Sequence, residues 1–181
     1  MSVRVLLVDD QALIRAGFRM ILEAEDDLEV VGECGDGTQA IDSVKRFSPD
    51  VVLMDIRMPE MDGIEATRRI VGGDGETAVK VLMLTTFDLD EYVYDALRAG
   101  ASGFLLKDAS AGLLRHAVHA AARGEAMLSP QIASMLIAPI ASQGRQAEPP
   151  IGYGALTRRE RDVFGCWPAD GPTARSAASF M

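Results

Sequence analysis

The chain has 181 residues, 48% of them hydrophobic and 25% charged, with a net charge of −9; this is room for one well-buried domain with a remainder. An acidic chain does not draw nucleic acid or an anionic membrane through its overall field. Its two cysteines, Cys34 and Cys166, lie far apart with no metal-type spacing, which fits a reduced, cytoplasmic setting better than a disulfide framework.

The charge is uneven. Residues 1–129 hold 23 acids against 13 bases, whereas residues 130–181 hold 4 against 5. Near the start, Val5 to Val8 is too short an apolar run for a signal-peptide core or a membrane span, so no membrane association is expected.

Val3 to Val8 predicts a first strand that ends in Asp9-Asp10. Leu13, Phe18, Ile21 and Leu22, with Ala12 and Ala16, then fall at helical spacing until Asp26-Asp27 break it. Leu28 to Gly32 predicts a second strand, followed by the Gly35-Asp36-Gly37 turn and a helix from near Thr38 to Phe47, stopped by Pro49. Val51 to Ile56 predicts a third strand, an apolar run that carries Asp55 at its carboxyl end. A lone buried carboxylate is costly, which places Asp55 at a solvent-facing lip. A loop over Pro59 to Gly63 leads to a helix from Ile64 to Val71, with Gly72, Gly73 and Gly75 after it.

Lys80 to Thr85 predicts a fourth strand with the hydroxyls of Thr85 and Thr86 at its end, and a helix from about Leu89 to Ala99 closes on Gly100. Gly103 to Leu106 is a fifth strand ending at Lys107, and Ser110 caps a last helix that runs to about Arg123. Five strand–helix alternations with short connections predict a doubly wound α/β domain around a five-stranded parallel sheet.

The domain is assigned to residues 1–125. Residues 126–155 read as a linker, although Ile132 to Ile137 could form a short amphipathic helix. Over 156–181, Thr157 and Glu160 make a capped helix start. Gly165, Pro168, Gly171 and Pro172 then destroy any helical period.

In a parallel sheet the carboxyl ends of adjacent strands converge, which would bring Asp9, Asp10 and Asp55 into one acidic pocket. Three carboxylates repel one another, and a hard divalent ion such as Mg²⁺ is the natural neutraliser. Lys107 would add a positive charge and Thr85 a hydroxyl at the same edge. Together they could stabilise a phosphoryl group on a carboxylate, with Asp55 as the nucleophile. Taken singly, Asp9 and Asp10 could be helix-start acids, Thr85 an ordinary strand residue and Lys107 a solvated lysine. Phe104, on spacing alone, is either core or a switch aromatic.

With Val8-Asp9-Asp10, Met54-Asp55-Ile56-Arg57-Met58-Pro59, Met61-Asp62-Gly63, Leu84-Thr85-Thr86 and Lys107, the stretch from Val3 to Gly124 resembles the receiver domain of two-component response regulators. Thr85 to Asp88, Gly100 to Ala109 and Leu156-Thr157-Arg158-Arg159-Glu160 are similar to the NarL/FixJ (LuxR-type) branch. The resemblance implies a flavodoxin-like fold with strand order 2-1-3-4-5 and phosphoryl transfer to Asp55 from a sensor histidine kinase. It further implies Mg²⁺ held by Asp10, Asp55 and the carbonyl of Arg57, with Asp9 acting largely through water. Thr85 and Phe104 would be a coupled switch pair, Lys107 would contact the phosphoryl group, and the Lys107–Asp108 bond would be cis. Helices one and five would provide a homodimer contact.

In this branch the Leu-Thr-x-Arg-Glu signature opens a helix-turn-helix DNA-binding domain, but residues 165–181 depart from its pattern, and 156–181 are expected to be a remnant without specific DNA binding. A receiver without DNA-binding output, titrating a kinase or partner, is therefore the alternative function. Neither reading makes the chain an enzyme beyond its own phosphorylation and dephosphorylation. A Mg²⁺-dependent phosphatase would need an acid–base partner where Arg57 stands.

Overall fold

The computed structural model describes residues 2–72, 79–86, 90–128 and 132–133. Eleven elements alternate along them: β1 (Val3–Val8), α1 (Ala12–Leu22), β2 (Leu28–Cys34), α2 (Gly37–Phe47), β3 (Val51–Asp55), α3 (Gly63–Val71), β4 (Lys80–Thr85), α4 (Asp90–Arg98), β5 (Gly103–Leu106), α5 (Ala111–Ala122) and β6 (Met127–Leu128). The strands form one parallel sheet in the order β2-β1-β3-β4-β5-β6. This is the flavodoxin-like arrangement, with the expected order 2-1-3-4-5 extended by one edge strand.

The continuous apolar strands have a direct cause, because alternate residues of each strand enter different cores. Leu6, Val8, Val52, Met54, Val81, Met83 and Phe104 belong to one core, with Ala40 and Val44 of α2, Ile64 and Ile70 of α3, and Val93 and Ala96 of α4. Val5, Leu7, Val51, Leu53, Leu82, Leu84 and Leu105 belong to the other, with Phe18 and Leu22 of α1 and Leu114, Ala117, Val118 and Ala121 of α5. A strand buried on both faces has no polar side to show, so its sequence does not alternate.

Several ends are set by single side chains. Ser110 caps α5 as expected, its Oγ accepting from the Leu113 N–H at 3.3 Å. Asp36 caps α2 and Asp62 caps α3 in the same way, accepting from Gln39 and Glu65. Gly100 adopts the left-handed conformation after α4, with φ at 99°.

Two differences from the sequence reading stand out. β2 runs to Cys34 rather than stopping at Gly32, because its ladder with β1 resumes after a register shift between Val5 and Leu6 and continues to Val8 opposite Cys34. β6 falls where the sequence predicts a linker. A two-residue strand has no periodicity to detect, yet Met127 pairs with Gly103 and Leu128 with Phe104, and Ile132 beyond it is buried in the first core. Gly73, Gly75, Leu89, the rest of the segment after Ala133 and the capped helix at Thr157 lie outside the described residues. No helix among the described residues is long and apolar enough to cross a membrane.

Candidate functional site

Strand register assembles the site. Val8 pairs with Met54, so Asp9, next in the chain, lies beside Asp55 at the end of the central strand. Asp55 pairs with Leu84, which brings Thr85 to the same edge. Thr85 in turn pairs with Leu106, and the Lys107 N–H donates to the Thr85 carbonyl at 2.9 Å. Four adjacent strands thus deliver Asp9, Asp55, Thr85 and Lys107 to one end of the sheet.

There the Lys107 ammonium lies 2.7 Å from Oδ2 of Asp9 and 2.8 Å from Oδ2 of Asp55. Carboxylate oxygens of Asp9, Asp10 and Asp55 come within 4.8 Å of one another. Only Asp10 is exposed; Asp9 and Asp55 are 1% and 5% exposed. The expected solvent-facing lip for Asp55 is therefore corrected: the carboxylate is buried, and an ammonium in contact with it offsets part of the cost of burial.

One cation against three carboxylates leaves an excess of two negative charges. Burial, reinforced by the charge of Asp9, raises the pKa of Asp55 despite the opposing hydrogen bond and charge of Lys107. Burial works to lower Lys107, but its contacts with Asp55 and Asp9 outweigh this and its pKa is raised.

Among the described residues the Lys107 ammonium is the partner that Asp9 Oδ2 meets, at 2.7 Å, which leaves further lone pairs of this buried oxygen available. An under-satisfied buried carboxylate oxygen, an exposed acid beside it and two surplus charges suit a hard divalent cation. Oδ1 of Asp9 accepts from the Gln11 N–H at 2.8 Å.

Thr85 is buried, and its hydroxyl donates to the Thr86 carbonyl at 2.9 Å rather than toward the carboxylates. Phe104, 1% exposed, is packed into the core. Arg57 follows β3 by two residues; its exposed guanidinium lies 5.5 Å from the centre of the Tyr92 ring on α4. Both line a cleft of about 190 Å³ with Ile56, Met58, Asp62 and Ile64.

The expected cis bond between Lys107 and Asp108 is absent, since no peptide bond among the described residues is cis. Trans is the cheaper geometry for a non-proline bond.

Two further residues near the site stand outside the set expected from the sequence. Gly63 backs Asp55 so closely that a Cβ there would lie 1.9 Å from the Asp55 carbonyl oxygen. Arg15, on α1, donates from Nη1 to the Asp9 carbonyl at 2.6 Å. The pattern Met61-Asp62-Gly63 pointed at the first as part of a loop; nothing short of the fold points at the second.

Residues 5–119 match the response regulator receiver domain. The uncharacterized transcriptional regulatory protein YxjL of Bacillus subtilis (strain 168) is 43% identical over 163 residues, covering 90% of this chain and 74% of that protein. The transcriptional regulatory protein LiaR of the same organism is 39% identical over 171 residues, with coverages of 94% and 78%. Among solved structures, a LuxR-family two-component response regulator from Aurantimonas sp. SI85-9A1 superposes with a TM-score of 0.72 at 33% identity, over 78% of this chain and 99% of that one. The response regulator domain of Thermotoga maritima CheB superposes with a TM-score of 0.62 at 31% identity, over 68% and 98%.

Proposed function

Because this chain belongs to the response regulator family, with transcriptional regulators of two-component systems among its relatives, we propose that it works by accepting a phosphoryl group on Asp55. The observation that carries the reading is the Lys107 ammonium set between the buried carboxylates of Asp55 and Asp9. It neutralises charge at the one place where a phosphoryl group would bring more.

A carboxylate oxygen of Asp55 attacks phosphorus, and the bond from phosphorus to the imidazole nitrogen of a sensor histidine kinase breaks, its electron pair staying on the ring. The product on this chain is an acyl phosphate, later hydrolysed by water to carboxylate and inorganic phosphate. Lys107 then transfers its hydrogen bond from Asp55 Oδ2 to a phosphoryl oxygen. Thr85 turns its hydroxyl from the Thr86 carbonyl to another, and Phe104 repacks with it as the second half of the switch. Mg²⁺ would be held by Asp9, Asp10, Asp55 and the Arg57 carbonyl, offsetting charge on the transferred group. Asp9, paired with Lys107, would act on the ion mainly through water.

In this reading residues 1–125 form the receiver together with the edge strand β6, and 156–181 carry the opening signature of a helix-turn-helix domain. The setting is the cytoplasm. Homodimerisation through α1 and α5 fits the exposed Leu13 and Met20 on α1. Sequence-specific DNA binding by 156–181 is left out, because residues 165–181 hold two prolines and a single basic residue, Arg175. A receiver that titrates a kinase or partner is the second reading that this composition favours.

The deciding experiment is labelling by acetyl phosphate with and without Mg²⁺, on wild type and Asp55→Asn. Mg²⁺-dependent labelling lost in the variant supports the assignment. Undiminished labelling at another residue refutes it.

A further inference from the structure

The turn that carries Asp9 and Asp10 is held from behind by a side chain that takes no part in the chemistry above. Arg15 stands one turn into α1. Its Nη1 donates to the Asp9 carbonyl at 2.6 Å and its Nε to Glu33 Oε2 on β2 at 3.2 Å. The Asp9 N–H donates to the Cys34 carbonyl at 3.1 Å, and the Asp9 carboxylate accepts from the Gln11 N–H. The main chain of Asp9 is therefore fixed on both sides before any ion arrives.

The guanidinium is suited to this task because its planar fork can meet two acceptors that belong to different elements. Were Arg15–Glu33 only a surface ion pair, its loss would be nearly silent. A nearby pair provides the comparison. Arg19 donates to the other oxygen of Glu33 at 2.6 Å, but its second partner is Glu23 on its own helix end and not the Asp9 turn. Arg15 and Arg19 thus share a partner and differ in whether they hold the acidic cluster.

We propose that Arg15, oriented by Glu33, is a positioning residue for the divalent-cation site, holding the Asp9–Asp10 turn where its carboxylates meet Asp55. The inference rests on the Mg²⁺ reading above. It concerns how tightly the ion is held and not how the phosphoryl group moves.

The test is calorimetric titration of the full chain with Mg²⁺ for wild type, Arg15→Ala, Arg15→Lys, Glu33→Gln and Arg19→Ala, with acetyl phosphate labelling at saturating Mg²⁺. Arg15→Ala should weaken Mg²⁺ binding roughly tenfold, the scale of losing a group that orients a metal ligand. Its labelling at saturating Mg²⁺ should still reach the wild-type extent. Arg15→Lys, which can hold either acceptor but not both, and Glu33→Gln should fall between. Arg19→Ala should stay within about twofold of wild type. In metal-free protein, hydrogen exchange at the Gln11 amide should quicken in Arg15→Ala and not in Arg19→Ala.

Equal Mg²⁺ affinities for Arg15→Ala and Arg19→Ala would overturn the proposal, as would a labelling defect in Arg15→Ala that saturating Mg²⁺ does not repair. Should Arg15→Ala fail to fold, unchanged affinity in both Arg15→Lys and Glu33→Gln would overturn it equally. A wild-type chain that binds no Mg²⁺ would instead remove the metal reading itself, and this inference with it. That outcome is visible before any variant is made.

Discussion

Lys107 Nζ lies 2.8 Å from Asp55 Oδ2, so the group proposed to read the phosphoryl oxygens is already in contact with the carboxylate proposed to accept the phosphoryl group. The same ammonium reaches Asp9, and both carboxylates are buried. Lys107→Met would leave two buried carboxylates without their cation, and losing one partner of a buried pair costs about 3 kcal/mol. Urea unfolding without Mg²⁺ should show a loss of that order. Saturating Mg²⁺ should restore a large part, since a ligand at a hundred times its Kd contributes about 2.7 kcal/mol. Equal stability of variant and wild type in metal-free buffer would argue that the ion pair has no structural role.

Asp55 itself should show a reversed pH dependence. Its pKa is raised above the ordinary 3.8 by burial first and by Asp9 second. The native state therefore holds this proton more tightly than the unfolded chain, and the contribution of Asp55 to stability falls as pH rises from 3.8 through the raised value. Above that window the ionised carboxylate is a net burden. Asp55→Asn should therefore be more stable than wild type at neutral pH without Mg²⁺, with the gap closing as pH drops through the window. Paired unfolding curves across acid pH measure it, and a gap that grows on acidification would contradict the burial argument.

Much of this arrangement was legible beforehand. Apolar runs ending in Asp9, Asp55, Thr85 and Lys107 marked strands buried on both faces, and parallel strands must bring their carboxyl ends together. What was hidden depended on distance rather than pattern. The burial of Asp55 could not be read because its partner, Lys107, is remote in sequence and is placed by β5. β6 is too short to have a period. Arg15 looks like any helix-surface arginine until β2 places Glu33 beside it.

Thr85 should separate phosphorylation from its consequence. Its hydroxyl is bonded to the carbonyl of the next residue, so Thr85→Ala removes one local hydrogen bond and should cost about 1 kcal/mol of stability. Labelling should persist, since the hydroxyl neither attacks phosphorus nor contacts the carboxylates in this state. Any phosphorylation-driven change in elution volume on size exclusion should be lost. A variant whose association responds normally to phosphorylation would remove Thr85 from the switch.

The tightest constraint on the site is steric. Gly63 begins α3 with its N–H donating to the Ile56 carbonyl at 2.9 Å, which presses its α-carbon against the end of β3. A Cβ at this position would sit 1.9 Å from the Asp55 carbonyl oxygen and 2.9 Å from Met54 Cγ. The second contact is to a flexible side chain and could relax, but the first is to main chain in the middle of the sheet. Relief would require moving either α3 or the strand that carries Asp55, and overpacking of this kind costs about 2 kcal/mol or more. Gly63→Ala should therefore lower the unfolding midpoint and also slow labelling by acetyl phosphate, because the displaced atom belongs to Asp55, the residue proposed to accept the phosphoryl group. Gly17→Ala serves as the control: that glycine lies on the exposed face of α1 with open space where its Cβ would go, and alanine is the better helix former. It should leave labelling unchanged and stability equal or slightly higher. If Gly63→Ala matched this control in both measurements, the close packing of α3 against Asp55 would not be what holds the carboxylate in place.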